Sequence, residues 1–444
     1  SSDVCSSDLR VILKNIYNRP WSQFTQAKVK ALDERSSDHY QDFFALADRD
    51  KDGKLSQNEI NESDALIILQ NAKVPIIDDT EDGSKGSGLM HHKFVIIDGQ
   101  SLIVTSANFT LSDIHGDMLR PGTRGNANNL LYIQSETIAN IFAEEFQEMW
   151  GDGVGGESDS KFGVNKSFRP PQTVTIGDTE LTVHFSPNSQ TIPWQNTSNG
   201  LIGDTLNRAA QSVDLALFVF SEQKLSDILQ KRHEIGVNVR ALIDPEFAFR
   251  NYSEGLDMLG LQLSNKCQYE ADNNPWRNPI NTVGVPQLQK GDKLHHKFGI
   301  VDHSKIITGS HNWSAAANSK NDETLLVLTN PAIAAHYQRE FERLYSNSTL
   351  GIPASVEKKI DRQIEECLPA NSTSETTQTD TGVLINLNTA SQEELETLPG
   401  IGAKIAEKII AERQTKPFAS LEDLQRVPGI GEKKLKKLEA KVTW

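Results

Sequence analysis

Apolar residues change period along this chain in an order that repeats. Residues 213–220 read VDLALFVF, a nearly unbroken apolar run that predicts a buried strand. Residues 222–235 follow with apolar positions at helical spacing, and 237–244 return to a strand-like run. Earlier in the chain only the last of these three has a counterpart, at 10–15. A strand, a helix and any signal peptide are therefore expected to be missing upstream. That leaves the first half without an interior strand, with strand edges or apolar surface uncovered.

The most regular stretches follow each of these runs. Residues 90–110, MHHKFVIIDGQSLIVTSANFT, and 294–314, LHHKFGIVDHSKIITGSHNWS, share one plan. A His and a Lys two positions apart lead an apolar strand that ends in Asp, and a short turn leads to a second strand carrying Ser and Asn. Period 2 puts the His and Lys on one face. If Asp98 pairs with Ser101 across a two-residue turn, Ser106 falls opposite Lys93 and Asn108 opposite His91. By the same count Asp302 pairs with Lys305, Ser310 falls opposite Lys297, and Asn312 opposite His295. Each hairpin then gathers imidazole, ammonium, hydroxyl and amide on one patch, a set suited to a phosphate oxyanion. Five residue types recurring at identical spacing imply one reaction shared by two halves.

Residues 130–133 predict a strand, and 136–150 a helix with Ile138, Ile141, Phe142 and Phe146 on one face. Residues 173–176 and 181–185 predict a further hairpin. The fold class is α/β: a first half at 10–150, a Gly- and Ser-rich linker at 151–168, and a second half at 169–350. The loop 265–289 carries Trp276, open to stacking on a base or to packing.

The doubled HxKxxxxD motif with its Ser-x-Asn strand resembles the phospholipase D superfamily of phosphodiesterases. The resemblance covers nearly all of residues 10–350. It implies two half-sites facing each other across a pseudo-twofold axis, with catalytic His91, Lys93, Asp98, Ser106 and Asn108 from one half. His295, Lys297, Asp302, Ser310 and Asn312 come from the other. One His forms a phosphohistidine and the other protonates the leaving oxygen, with no catalytic metal. Aligning 321–328 with 126–133 puts Asn128 where the second copy has Glu323, a position at which family members commonly use an acid to orient a catalytic His. The resemblance thus implies that one His alone has a carboxylate partner. It makes His91 the nucleophile and His295 the acid.

A second motif lies inside the first half. Residues 48–59, DRDKDGKLSQNE, match the calcium loop of an EF-hand. Asp48, Asp50 and Asp52 take positions 1, 3 and 5, Gly53 makes the turn, Lys54 offers its carbonyl, Ser56 sits at 9 and Glu59 at 12. Apolar residues at helical spacing flank it at 40–47 and 60–69, which marks 38–70 as an insertion holding structural Ca2+.

Composition then narrows the partners. Sixty acids against 45 bases give a net charge of −15, so any nucleic-acid contact must be local. Three cysteines without CxxC spacing argue against a zinc cluster, and Cys267 and Cys367 pair only if folding brings them together. Residues 1–9, SSDVCSSDL, resemble translated adapter sequence and are set aside from fold reasoning. Residues 351–382 read as a helix and a polar linker.

The tail, 383–444, holds ten Lys or Arg against nine Asp or Glu, so the rest of the chain carries the whole acidic excess. Twice it repeats a helix, a Pro-Gly-Ile-Gly turn and a basic helix. It resembles the tandem helix-hairpin-helix module of competence-type DNA receptors and repair enzymes. That resemblance implies an all-α domain whose Gly400, Gly402, Gly429 and Gly431 let the backbone approach a DNA phosphate. Lys404, Lys433 and Lys434 stand beside those turns, and binding would be sequence-nonspecific and salt-sensitive. A DNA-tethered nuclease explains both parts of the chain. A phospholipase D or cardiolipin-synthase-like phosphatidyltransferase acting on lipid leaves the tail without work, and a non-catalytic DNA-binding scaffold is the third alternative. The EF-hand and the tail lean toward an extracytoplasmic site.

Overall fold

The computed structural model describes residues 9–367, 385–396, 398, 401–431, 434, 435, 438 and 441–444. The chain divides into two compact units, Ser1–Leu368 and Pro369–Trp444. Residues 1–8 of the adapter-like start and the polar linker at 368–382 lie outside the described residues.

The first half of unit 1 runs β1 (Val11–Leu13), α1 (Gln26–Lys30), α2 (Glu34–Ala47), α3 (Gln57–Ser63), α4 (Ala65–Asn71), β2 (Ile76–Asp78), β3 (Phe94–Ile97), β4 (Ser101–Thr105), α5 (Leu111–Ile114), β5 (Leu130–Gln134) and α6 (Glu136–Trp150). The second runs β6 (Gln172–Ile176), β7 (Thr179–Ser186), α7 (Ser198–Asn207), β8 (Ser212–Leu217), β9 (Phe220–Ser221), α8 (Gln223–Glu234), β10 (Asn238–Ile243), α9 (Glu254–Met258), β11 (Val283–Pro286), β12 (Lys297–Val301), β13 (Lys305–Gly309), β14 (Trp313–Ser314), α10 (Ala315–Ser319), β15 (Glu323–Thr329), α11 (Pro331–Tyr345), β16 (Ser348–Leu350) and α12 (Ala354–Cys367).

Nine of these strands form one sheet in the order β16-β11-β10-β8-β12-β13-β15-β7-β6. Its interior strand β8 is buried along its whole length, as its nearly unbroken apolar run requires. The first half repeats the plan in two pieces. The parallel pair β1-β2 corresponds to β10-β11, and the antiparallel set β3-β4-β5 corresponds to β12-β13-β15. Among the described residues no strand takes the place between them that β8 holds in the second half. Accordingly Val95 and Ile97 of β3 are 37% and 38% exposed.

The halves adhere through a shared core. Leu102, Val104, Ile138 and Phe142 of the first half pack with Leu181, Val183, Phe185, Leu326 and Leu328 of the second. Each such side chain contributes roughly 1.5–3 kcal/mol when fully buried. The 151–168 segment between the halves is anchored. Phe162 joins Ile77, Met149 and Trp150, and the Lys166 ammonium lies against the buried carboxylates of Glu145 and Asp322, the latter at 2.7 Å.

The expected exit helix at 60–69 is broken at Asp64, whose carboxylate accepts the Leu66 N–H at 3.2 Å and starts α4 as a separate helix. Cys267 and Cys367 are joined by a disulfide, with Cα atoms 5.4 Å apart.

Unit 2 places α13 (Gln392–Glu396), α14 (Ala403–Thr415) and the parallel pair β17 (Ile385–Asn386) and β18 (Val442–Thr443) around Leu387, Leu395, Ile409, Phe418, Leu424 and Leu438.

Candidate active site

Each His-Lys hairpin enters its sheet by pairing with the opposite half. The His91 amide donates to the Asp322 carbonyl at 2.9 Å, and the His295 amide donates to the Ala127 carbonyl at 3.0 Å. Bridges at Met90–Asp322 and Ala127–Leu294 make the exchange reciprocal. Each His is thus set against the residues that lead into the third strand of the other half.

The side chains follow the same crossing. His91 Nδ1 lies 2.6 Å from Glu323 Oε2, and the Ser310 hydroxyl donates to that oxygen at 2.7 Å. Across the pseudo-twofold, His295 Nδ1 lies 3.0 Å from Asn128 Oδ1, and the Ser106 hydroxyl donates to that oxygen at 2.8 Å. The serine of one half therefore braces the residue that orients the histidine of the other. Lys93 Nζ donates to the His91 carbonyl at 2.6 Å and Lys297 Nζ to the His295 carbonyl at 2.5 Å. Asn108 donates to Asp113 Oδ2 at 2.6 Å, whereas the half-buried Asn312 leaves its side-chain oxygen without a hydrogen-bond partner.

Burial governs the charges here. It pushes His91 below the usual histidine value; the Glu323 carboxylate opposes the shift and Lys93 adds to it. His295 is driven well down, first by burial and then by Lys297 and Lys93. Burial brings Lys93 down to about 8 against the pull of Glu323 and Asp113, and Lys297 falls well below the ordinary lysine value. Burial alone would raise Glu323, but His91 and Lys93 outweigh it and hold the carboxyl at about 2. The site is suited to an anion: two desolvated ammonium groups and two imidazoles gather about the buried carboxylates of Glu323 and Asp113.

Several sequence expectations need correction. The turns hold three residues, not two, because Asp98 and Gly99 take φ of 52° and 62°, and Asp302 and His303 take 49° and 52°. Ile97 pairs with Ser101 and Val301 with Lys305. Thr105, not Ser106, therefore faces Lys93, and its amide donates to the Lys93 carbonyl at 3.0 Å. Ser106 and Ser310 instead lie just past their strands. Asp98 and Asp302 do not join the site. Asp302 accepts the amides of Ala210, Gln211 and Ser212 and ties the hairpin to the start of β8, while Asp98 is exposed in a half that has no such strand among the described residues. Trp276 is 3% exposed and donates to Ser226 Oγ at 3.0 Å, so it packs rather than stacks on a ligand.

The expectation that one histidine alone has a carboxylate partner also fails. Asp113 Oδ1 lies 3.2 Å from His295 Nδ1. The second His of each HHK triplet was overlooked too. His92 reaches Thr324 Oγ1 at 2.8 Å and Glu145 at 3.1 Å, while His296 reaches Asn129 at 3.2 Å and Glu340 at 3.1 Å. Burial holds His92 at about 3, so its contact with Glu145 is a hydrogen bond of a neutral ring. The doubled histidine in both copies was the available signal.

In the loop at 48–59, oxygens of Asp48, Asp50 and Asp52 lie within 4.8 Å of one another. Gly53 turns the chain at φ 81°. Glu59 is held down to about 2 by the amide and hydroxyl of Ser56 and the amide of Arg49, so it is ionised and faces back across the loop. Three clustered carboxylates with a turn glycine after them fit an oxygen-seeking cation, whereas both Glu59 oxygens are taken by Arg49 and Ser56. Ser56 also caps α3, and the Lys54 amide donates to Asp52 Oδ1 at 2.8 Å.

In unit 2, Gly402 and Gly431 each open a helical turn, accepting the amides of Ile405 and Ala406 and of Lys434 and Leu435 respectively. Gly429 takes φ 105°, which only glycine adopts freely. Lys434 folds back on the Gly429 carbonyl at 2.9 Å. Gly400, Lys433 and the side chain of Lys404 lie outside the described residues.

Residues 23–150 and 202–345 match the family model described as the cardiolipin synthase, phospholipase D-like domain. These segments make up more than half of the chain, which therefore belongs to the phospholipase D-like family. Residues 380–443 match a helix-hairpin-helix motif. Among curated relatives, the mitochondrial cardiolipin hydrolase of Chlamydomonas reinhardtii is 27% identical over 32% of this chain and 55% of its own length. That of Xenopus tropicalis is 31% identical over 32% and 57%. The chain thus spans about half the length of these relatives. Looser structural likenesses include Nuc, a phospholipase D family member from Salmonella typhimurium, with TM-score 0.30 and 18% identity over 40% of this chain and 100% of that one. Phosphatidylserine synthase of Haemophilus influenzae gives TM-score 0.44 and 11% identity over 67% and 75%.

Proposed function

We propose that this chain is a phosphodiesterase that hydrolyses nucleic acid through a phosphohistidine, held on DNA by its helix-hairpin-helix tail and stabilised by calcium in the inserted loop. The 2.6 Å contact between His91 Nδ1 and Glu323 carries the catalytic part. With Nδ1 engaged, Nε2 of His91 is the nitrogen left to attack phosphorus. As the P–N bond forms and the P–O bond breaks, His295 gives its proton to the departing oxygen. Water then attacks the phosphohistidine, His295 takes its proton, and His91 is released. Lys93, Lys297 and Asn108 meet the nonbridging oxygens, so charge neutralisation requires no catalytic metal. The bound anion restores to both lysines the charge that burial weakens.

The helix-hairpin-helix match supports nucleic acid as substrate, and Gly402 opens α14, a helix start of the kind whose first-turn amides suit a phosphate. Asp48, Asp50, Asp52, Ser56, the Lys54 carbonyl and Glu59 would hold Ca2+ in a structural role. The Cys267–Cys367 bond favours an oxidising, extracytoplasmic setting. A phosphatidyl substrate is the second reading, favoured by relatives that are cardiolipin hydrolases.

The test is cleavage of plasmid and single-stranded DNA in EDTA at low salt, by wild type, His91→Ala, His295→Ala and a chain ending at Leu368. Circular dichroism confirms folding in each case. Cleavage that survives EDTA, disappears in both histidine variants and weakens without the tail is expected. A folded wild type that leaves DNA intact while hydrolysing a phosphatidyl substrate establishes the second reading instead.

A further inference from the structure

The two orienting groups are not chemically equal. Glu323 offers a carboxylate to His91, whereas Asn128 offers a neutral amide oxygen to His295. A neutral acceptor can orient an imidazole but stabilises its charged form much less than a carboxylate does. His295 is 5% exposed and faces two lysines, so as an acid it needs negative charge nearby more than His91 does.

That charge stands one step away, on a different element. Asp113 is 7% exposed, and its Oδ1 lies 3.2 Å from His295 Nδ1 and accepts from Asn128 Nδ2 at 2.9 Å. Asn126 donates to the same oxygen at 2.9 Å, while Asn108 and Thr110 donate to Oδ2 at 2.6 and 3.1 Å. The four donors named here are neutral, while Lys93 and Lys297 feel the same carboxylate electrostatically. Asp113 is the third residue of α5 and follows Asn108 by five positions; Ala317 is the third residue of α10 and follows Asn312 by five. The halves therefore hold opposite pairs at equivalent places: Asp113 with Asn128, Ala317 with Glu323.

We infer that the orienting carboxylate of the first half has moved from the strand position to the helix position, and that Asp113 is the charge partner that positions His295 for proton transfer. The inference rests on the phosphodiesterase reading for its kinetic consequence, not for the pairing itself. Asp113 acts through His295 and Asn128, as a positioning residue.

The test uses the full chain with wild type, Asp113→Asn, and the double variant Asp113→Ala with Asn128→Glu, which moves the acid back to the strand. Histidine-labelled NMR reads the His295 titration, assigned with His295→Gln. Asp113→Asn is expected to lower its midpoint by about one unit, and the double variant to restore it. Hydrolysis of a dinucleotide, whose alkoxide leaving group needs an acid, should slow about tenfold or more in Asp113→Asn. Hydrolysis of bis(p-nitrophenyl) phosphate, whose leaving group does not, should slow far less. An unchanged His295 midpoint in folded Asp113→Asn, or no recovery in the double variant, overturns the inference. A wild type that turns over neither substrate overturns the phosphodiesterase reading, while the titration still decides the pairing.

Discussion

Glu323 Oε2 and His91 Nδ1 stand 2.6 Å apart although they belong to different halves of the catalytic unit. Neither half can therefore set its own histidine. The carboxyl is fully buried, held by Ser310 at 2.7 Å and Asn321 at 3.2 Å, and these bonds leave it little freedom to turn from the imidazole. Duplication of the motif gains its meaning from this exchange, since the geometry closes only when both copies are present.

Glu323→Gln should keep the shape and lose the charge. Without the carboxylate, the positive charge that develops on His91 as it attacks phosphorus goes unbalanced in a low-dielectric pocket. Phosphoenzyme formation should fall by about a hundredfold, with substrate affinity little changed. Rapid-quench measurement of the burst reads this step directly. A loss confined to phosphoenzyme hydrolysis would reverse the roles given to His91 and His295.

The pH profile follows from the depressed histidines. In the free enzyme His91 must be neutral to attack and His295 protonated to donate, and burial lowers both below 6.5. As pH falls through the His91 value the nucleophile is lost; as pH rises through the His295 value the acid is lost. kcat/KM should then trace a bell centred on the acid side of 6.5, with a further fall above about 8 as Lys93 loses its proton. A bound phosphodiester anion raises all three, so kcat should peak at higher pH than kcat/KM. A kcat/KM optimum at or above pH 8 would contradict the assignment.

Much of the site was legible because the plan recurs: His91, Lys93, Ser106 and Asn108 could be matched to His295, Lys297, Ser310 and Asn312 from letters alone. The pairing register was not. It depended on Asp98 and Asp302 entering the turn at positive φ, an outcome that two short polar stretches leave open. Asp113 was invisible for a different reason. Its counterpart Ala317 carries no chemistry, so comparing the copies gave no hint, and its contact with His295 spans the two halves. The nearly unbroken apolar run of β8 has no counterpart among the letters of 10–150, and among the described residues no strand stands at that place.

Loss of the Cys267–Cys367 bond should weaken unit 1. The bond closes a span of 100 residues and fixes the end of α12 against the loop at 264–268. Among the described residues, α12 is otherwise held by Val356 and Ile360 against Leu256 and Leu263, and by Gln363 bonded to the Ser264 backbone at 2.9 and 3.0 Å and to its hydroxyl at 3.2 Å. Closing a loop of that length restricts the unfolded chain enough that Cys267→Ser should cost about 2–5 kcal/mol. Urea unfolding with and without dithiothreitol checks it. The reductant should move the wild-type midpoint down to that of the variant and leave the variant unmoved.

Calcium should stabilise the inserted loop and, through it, the rim of the site. α2 ends at Ala47, directly before the Asp48–Asp52 acids, so a cation there would fix the C-terminal end of that helix. Asp42 on α2 accepts the Leu119 amide at 3.1 Å and Asp38 pairs with Arg120 at 2.6 Å, and both tie α2 to the segment that runs from α5 to Asn126. Three carboxylates crowded at the loop repel one another without a cation, so binding should be accompanied by tightening of α2. At a free calcium concentration a hundred times Kd the gain is about 2.7 kcal/mol, read as a rise in Tm on titration from EGTA. Glu59→Gln, which removes the charge at position 12, should abolish most of that rise; it should also lower the Tm in EGTA, because its NH2 cannot accept the backbone N–H that one carboxylate oxygen accepts. A calcium response that survives Glu59→Gln unchanged would place the cation elsewhere. The same titration followed by exchange of the Leu119 amide should show protection growing with calcium, because that amide is held by α2 and by nothing in the loop itself.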